Sequence, residues 1–165
     1  MQLIERLDAA RRRWNVLEHP FYRRWECGAL SRDELTTYAG EYRHAVVALA
    51  DSADQATPLS GSQHAGEERE HVDLWDDFAA AVDAHPGPAR LKGTEKCVTA
   101  WTSAADPLEA LGILYAIEAG QPDVSRTKLD GLVEHYGFEP ESPATSYFTL
   151  HAERFSARGE DGHLR

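Results

Sequence analysis

The residues best suited to chemistry lie in one polar stretch, residues 64–82, where carboxylates and imidazoles recur at helical spacing. If this stretch forms an α-helix, apolar side chains line one face of its C-terminal half. Toward the N-terminus the same face carries His71, Glu68 and His64. Glu68 and His71 form a Glu-x-x-His pair on one face, the pattern by which helical bundles present an oxygen and a nitrogen ligand to an internal metal ion. The pattern predicts a metal site. The alternative is that this half of the helix projects past the core, as an ordinary acidic patch.

Two further helical patterns place a polar side chain on an apolar face. Glu118 shares a face with leucines in the helix that follows Asp106, and His151 interrupts the stripe of the last helix. Taken singly, an ion-paired acid and a satisfied core histidine would explain them. Their coincidence with Glu68 and His71 favours a bundle core lined with carboxylate and imidazole, which is how non-haem iron or manganese is held.

A second Glu-x-x-His pair occurs at Glu41 and His44. On a helical wheel Glu41 borders the apolar stripe of its helix, whereas His44 points away from it. Glu41 is therefore a candidate ligand and His44 is not.

Helical periodicity extends over nearly the whole chain, and no segment alternates as a strand would. One domain is predicted over residues 1–158, followed by a short polar tail at residues 159–165. A polar loop is predicted at residues 54–62, and residues 85–88 should close the central helix. The predicted helix starts and stops are Pro20 with Gly28, the capping box Ser31 to Glu34, Asp106 with Pro107, Pro122 as a kink or stop, Gly137, and Pro143.

Composition narrows the class of protein. A formal charge of −11 over 165 residues argues against a nucleic-acid footprint. No apolar run approaches the length of a membrane span, and Cys27 and Cys97 form no C-x-x-C motif, so a protein of the reducing cytoplasm is expected. Gly-rich phosphate loops and the motifs of serine hydrolases and zinc proteases are absent from the sequence.

Five runs together resemble the TenA/PqqC-like branch of the heme-oxygenase-like superfamily, closest to its di-iron oxidases. They cover most of the chain: residues 19–22 (His-Pro-Phe-Tyr), 38–46 (Tyr-Ala-Gly-Glu-Tyr-Arg-His-Ala-Val), 67–75 (Glu-Glu-Arg-Glu-His-Val-Asp-Leu-Trp), 114–122 (Leu-Tyr-Ala-Ile-Glu-Ala-Gly-Gln-Pro) and 147–153 (Tyr-Phe-Thr-Leu-His-Ala-Glu). The resemblance implies an all-α bundle that encloses a pocket, and an O2-using site of two iron ions held by Glu and His. Carried across, its metal ligands fall on Glu68, His71, Glu118 and His151, with Glu41 as the first-helix carboxylate. Tyr42 and Tyr115 would line the pocket.

The C-terminal motif departs from the family pattern. The family has His-x-x-x-Asp-x-x-His, whereas here Phe155 and Arg158 follow His151 at those places. The family also supplies one more helix. The sequence therefore predicts a bundle without its last helix, at most one retained iron ion, and a homodimer that covers the exposed face.

The resemblance leaves three functions open. The first is a non-haem iron oxidase or oxygenase that acts on a small, carboxylate-bearing metabolite. The alternatives are a cofactorless PqqC-like oxidase and a non-catalytic relative that binds a small molecule or a partner. Thiaminase activity is disfavoured because Leu111 stands where that branch has its nucleophilic cysteine.

Overall fold

Helices make up the whole described architecture. The computed structural model describes the backbone of residues 2–160 and the side chains of residues 2–153, and this part contains no strand. Its elements are α1 (Leu3–Arg13), a 3-10 turn (Val16–Glu18), α2 (Pro20–Glu26), α3 (Arg32–Ser60), α4 (Ser62–Ala81), α5 (Lys92–Trp101), α6 (Pro107–Glu118), α7 (Gln121–His135) and α8 (Pro143–Glu160). The prediction of an all-α protein is confirmed. The departures at Phe155 and Arg158 lie outside the described side chains.

The contacts divide the chain into two compact units. Unit A is Met1–Leu30 with Ala116–Arg165, and unit B is Ser31–Tyr115. The prediction of one domain over residues 1–158 stays a prediction. Within the described residues, every helix is too short or too polar to cross a membrane.

In unit B, α3 begins as predicted and ends later than predicted. The Ser31 hydroxyl accepts a hydrogen bond from Glu34 N at 3.3 Å, and the Glu34 carboxylate accepts one from Ser31 N at 2.8 Å, which confirms the capping box. The predicted loop at residues 54–62 is wrong, because α3 continues through Pro58. Pro58 falls in the last turn, where its missing N–H removes only one helical hydrogen bond. Gly61, at φ +80°, then turns the chain directly into α4.

Polar contacts near the middle of α3 help to fix α4 against it. The indole N–H of Trp75, a fully buried side chain, donates to the carbonyl of Ala39 at 2.9 Å. The Arg43 guanidinium forms a forked pair with Asp76, with N···O distances of 2.6 and 2.9 Å. These contacts set the axial register of α4, and with it the position of the Glu-x-x-His pair one to two turns earlier.

Several helix ends follow their predicted signals and others do not. The Asp106 carboxylate accepts from Leu108 N and Glu109 N, both at 2.9 Å, which confirms the predicted cap. The central helix ends at Ala81, before the predicted stop at residues 85–88. The predicted break at Pro122 is present, because α6 ends at Glu118, and Pro122 itself lies in the first turn of α7.

The core of unit A is built where α2, α7 and α8 pack around Trp25. Trp25 is fully buried, and its indole N–H donates to the carbonyl of Lys128 at 3.0 Å. A Cβ at Gly131 would stand 2.8 Å from the Trp25 ring, so glycine lets α7 approach α2 this closely. The ring of Phe148, on α8, lies 6.4 Å from that of Trp25.

Lys128 is the unexpected member of this core. Its side chain is 2% exposed, and its ammonium nitrogen lies 5.2 Å from the ring centroid of Tyr22 and 5.9 Å from that of Phe148. Burial lowers the pKa of Lys128 to about 7, because removal from water disfavours the charged form. The aromatic faces favour the cation, but only partly offset the lost hydration.

Candidate metal centre

Glu68 and His71 form a buried pair on α4. Glu68 is 2% exposed and His71 3% exposed, so this part of the helix faces inward and is not a solvated acidic patch. A Glu68 carboxylate oxygen lies 3.0 Å from His71 Nδ1, which is a hydrogen-bonding distance across one helical turn. In its ionised form the Glu68 carboxylate is an acceptor only, and the imidazole Nδ1–H is then the donor of this hydrogen bond. A metal ion entering here would find an oxygen and a nitrogen donor already desolvated and oriented.

His64 extends the pair by one turn toward the start of α4. It is half-buried, and one of its ring nitrogens lies within 4.8 Å of a Glu68 carboxylate oxygen. In unit B the structure therefore brings three donors, from His64, Glu68 and His71, onto one helix face. Imidazole and carboxylate donors suit Fe(II) and Mn(II), as well as zinc.

Glu41 has a structural role that its sequence position did not indicate. Its carboxylate accepts hydrogen bonds from Arg90 N at 2.8 Å, from Leu91 N at 3.3 Å, and from the Thr94 hydroxyl. Burial opposes ionisation of Glu41, but these hydrogen bonds outweigh burial and hold its pKa below the usual value. Glu41 thus holds the residues just before α5 and the Thr94 side chain against α3, and its part as a metal ligand stays a prediction.

His151 lies in unit A, on α8, and is 4% exposed. Its Nδ1 lies 2.7 Å from the carbonyl oxygen of Tyr147. Because a carbonyl can only accept, Nδ1 carries the proton and Nε2 carries the lone pair in the neutral ring. A backbone carbonyl that fixes the tautomer in this way is typical of metal-binding histidines.

The other predicted site residues are placed as follows. Glu118 is half-buried at the end of α6 and belongs to unit A. Tyr42 is half-buried in unit B, with its ring 5.3 Å from Tyr38 and 5.0 Å from Trp75, and Tyr115 is half-buried at the end of that unit. The joining of Glu118 and His151 with the donors on α4, and the pocket roles of Tyr42 and Tyr115, stay predictions.

Sequence reasoning placed His64 on the continued stripe but did not count it among the candidate ligands, although its four-residue spacing to Glu68 could have added it. For Lys128 no signal exists in the sequence, because its neighbours Thr127, Asp130 and Arg126 read as a solvated segment.

Comparison with known proteins identifies relatives over nearly the whole chain. The model of a family described as iron-containing redox enzymes matches residues 63–154, which include the Glu-x-x-His pair and His151. A 4-aminobenzoate synthase of Chlamydia muridarum is 30% identical to this chain, over 93% of this chain and 72% of the relative. Proteins of the same name from Chlamydia trachomatis and Nitrosomonas europaea are each 28% identical, with 74% and 75% of their lengths covered.

The family match and the relatives agree with the architecture and with the donor chemistry. The chain is all-helical over its described residues and heme-oxygenase-like, and it buries Glu and His side chains whose donor atoms suit iron. This chain belongs to the iron-containing redox enzyme family.

Proposed function

We propose that this chain is a non-haem iron oxidase or oxygenase that acts on a small, carboxylate-bearing metabolite. The observation that carries the proposal is the buried pair of Glu68 and His71 on α4, at 3.0 Å from each other. An ionisable carboxylate is costly to bury, and a pair of metal ligands is a functional reason to retain it. Iron, when bound, supplies the one-electron chemistry that O2 requires.

The residues of α4 would hold and orient the ion. Glu68 supplies a carboxylate oxygen, and His71 and His64 supply imidazole nitrogens on either side of it along the helix. We propose Glu118 and His151 as the ligands from unit A, since the resemblance assigns them and His151 has its tautomer fixed by the Tyr147 carbonyl. The fully buried Trp75 and Phe78 follow His71 on α4 and exclude water from that side of the pair.

Anaerobic titration with Fe(II) tests this proposal. We expect about one tightly bound iron per chain, and O2 uptake that depends on it. Glu68→Gln and His71→Ala should each lose the iron, because each removes a ligand atom. Glu70→Gln is the matched control, since Glu70 is an exposed acid on the same helix. Iron binding that survives both ligand substitutions, or that is lost equally in the control, would refute the site.

The name of the relatives suggests a chemical class for the reaction. These relatives are 4-aminobenzoate synthases, so we propose that the substrate or product of this chain is an aromatic or related small acid. Expression in a bacterium that requires 4-aminobenzoate for growth tests whether the product is 4-aminobenzoate itself. Growth with the wild-type chain and not with the His71→Ala variant would support it. No growth with a well-expressed, iron-loaded wild-type chain would show that the product is a different compound.

A further inference from the structure

The start of α7 in unit A has an unusual set of polar groups. Gly120 occupies the position before the helix, and no side chain caps the first turn. The free N–H groups and the helix dipole make this end of the helix electropositive. Gln121 is the first residue of α7, and its side chain is 7% exposed.

Two buried hydrogen-bond donors at this place have no acceptor. Among the described residues, three buried side-chain polar atoms lack a hydrogen-bond partner, and two of them are Gln121 Nε2 and Arg11 Nε. The Arg11 side chain lies against the residue before Gln121, since a Cβ at Gly120 would be 3.6 Å from Arg11 Cδ and 3.9 Å from its Nη1. A buried donor without an acceptor is costly, so two at one place call for an acceptor that binds there.

The charge of Arg11 favours an anion at this place. The Arg11 guanidinium is always protonated, and its weak contact with Asp8, at 3.9 Å, uses its Nη2 atom and not Nε. A carboxylate has two acceptor oxygens, which can take hydrogen bonds from Arg11 Nε and Gln121 Nε2 together. A cation or a neutral donor would leave both groups unsatisfied.

We propose that Arg11 and Gln121, at the start of α7, bind the carboxylate group of a small-molecule substrate. This inference rests on the proposed function and names the group by which the substrate is recognised. Gln121 supplies a neutral donor within the fold, and the half-buried Arg11 supplies the charge. The exposed Arg12 and Arg13 on the same helix have no part in the site.

The test measures binding of benzoate to the full chain as purified, by isothermal titration calorimetry. Benzamide, which has the same shape without the charge, and inorganic phosphate are the comparison ligands. We expect wild-type protein to bind benzoate, and to bind neutral benzamide at least about tenfold more weakly, because charge-assisted hydrogen bonds are the stronger ones. Phosphate should also bind at least about tenfold more weakly, because it lacks the planar pair of oxygens and the aromatic ring of benzoate. Equal affinity for benzamide or for phosphate would overturn the assignment of a carboxylate site.

Variants connect this binding to the two residues. Gln121→Leu and Arg11→Gln should each weaken benzoate binding at least about tenfold, and Arg11→Lys should weaken it too, because lysine keeps the charge but lacks Nε–H. Arg12→Gln makes the same change of charge at an exposed position and should leave binding unchanged. Loss of binding in Arg12→Gln equal to that in Arg11→Gln would reduce the effect to net charge and overturn the proposal.

A second measurement separates a lost ligand contact from a damaged fold. Without ligand, Gln121→Leu should melt at a higher temperature than the wild type, because it removes a buried unsatisfied donor. A lower melting temperature together with unchanged benzoate binding would contradict the proposal. Iron content measured on the same preparations keeps the two proposals apart. Iron binding without benzoate binding overturns the carboxylate site alone, and benzoate binding without iron overturns the iron oxidase alone.

Discussion

Replacing Lys128 with methionine should change the way in which the stability of this protein depends on pH. Lys128 is buried among aromatic rings of unit A, and its pKa in the folded protein is about 7. In the unfolded chain a lysine titrates at roughly 10.4. Between these two values the unfolded state binds more protons than the folded state, so the free energy of unfolding rises with pH. The stability that accompanies the neutral amine is lost as the pH falls from the unfolded pKa to the folded pKa.

The size of the effect follows from the same two pKa values. With a folded pKa of about 7, proton linkage lowers the free energy of unfolding by roughly 4 kcal/mol at pH 7 and by roughly 2 kcal/mol at pH 9. The wild type should therefore gain roughly 2 kcal/mol between pH 7 and pH 9. Lys128→Met keeps most of the side-chain volume and removes the titrating group, so this gain should disappear.

Urea unfolding followed by circular dichroism at several pH values measures this gain. Lys96→Met is the control, because Lys96 is exposed on α5 and its substitution should preserve the wild-type slope. Burial raises the pKa of Cys97, but this thiol is present in every variant and cancels in the comparison. If Lys128→Met keeps the full dependence on pH, Lys128 is not the buried titrating group that the structure describes.

Four other substitutions test separate parts of the structure. Glu41→Gln should destabilise the protein by about 1 to 2 kcal/mol at neutral pH, and this difference should shrink in acid unfolding experiments, because the lowered pKa of Glu41 makes its contribution disappear as pH falls through that pKa. Asp106→Ala should lower the free energy of unfolding in urea by about 1 kcal/mol, because it removes the α6 cap. An unchanged free energy of unfolding would show that this cap does not stabilise the protein. His64→Ala should weaken Fe(II) binding at least about tenfold with unchanged melting temperature, if His64 is a ligand. Phe155→Asp combined with Arg158→His, which restores the family pattern, should raise the number of irons bound per chain; unchanged stoichiometry would show that ligand number does not limit it.

The α4 pair could be predicted from the sequence because helical geometry is nearly independent of context. Glu68 and His71 lie three residues apart, and a stripe ending in Trp75 and Phe78 fixes which face is buried. The prediction of inward Glu68 and His71 is confirmed by their burial. The capping signals at Ser31 and Asp106 were equally local, because each needs only the backbone of its own first turn.

The wrong and missing parts depend on contacts that have no local signal. Residues 54–62 are rich in turn formers, yet α3 continues through Pro58. Packing of α3 against α4 orders both helices up to Gly61, and this outweighs the weak local preference for a loop. Glu41 binds the residues that precede α5, about 50 positions later in the chain, so its spacing on α3 could not show this role.

The buried polar groups are of two kinds, those that have a hydrogen-bond partner and those that have none. Glu68 with His71, and Glu41 with the start of α5, are each satisfied by neighbours in unit B. Gln121 Nε2, in unit A, has no partner within the described residues. A satisfied buried group is explained by folding alone, whereas an unsatisfied one costs stability in every folded molecule. The first kind therefore needs an independent argument for function, which the iron-containing family supplies for α4. The second kind already favours a ligand, and this is why the start of α7 points to substrate recognition.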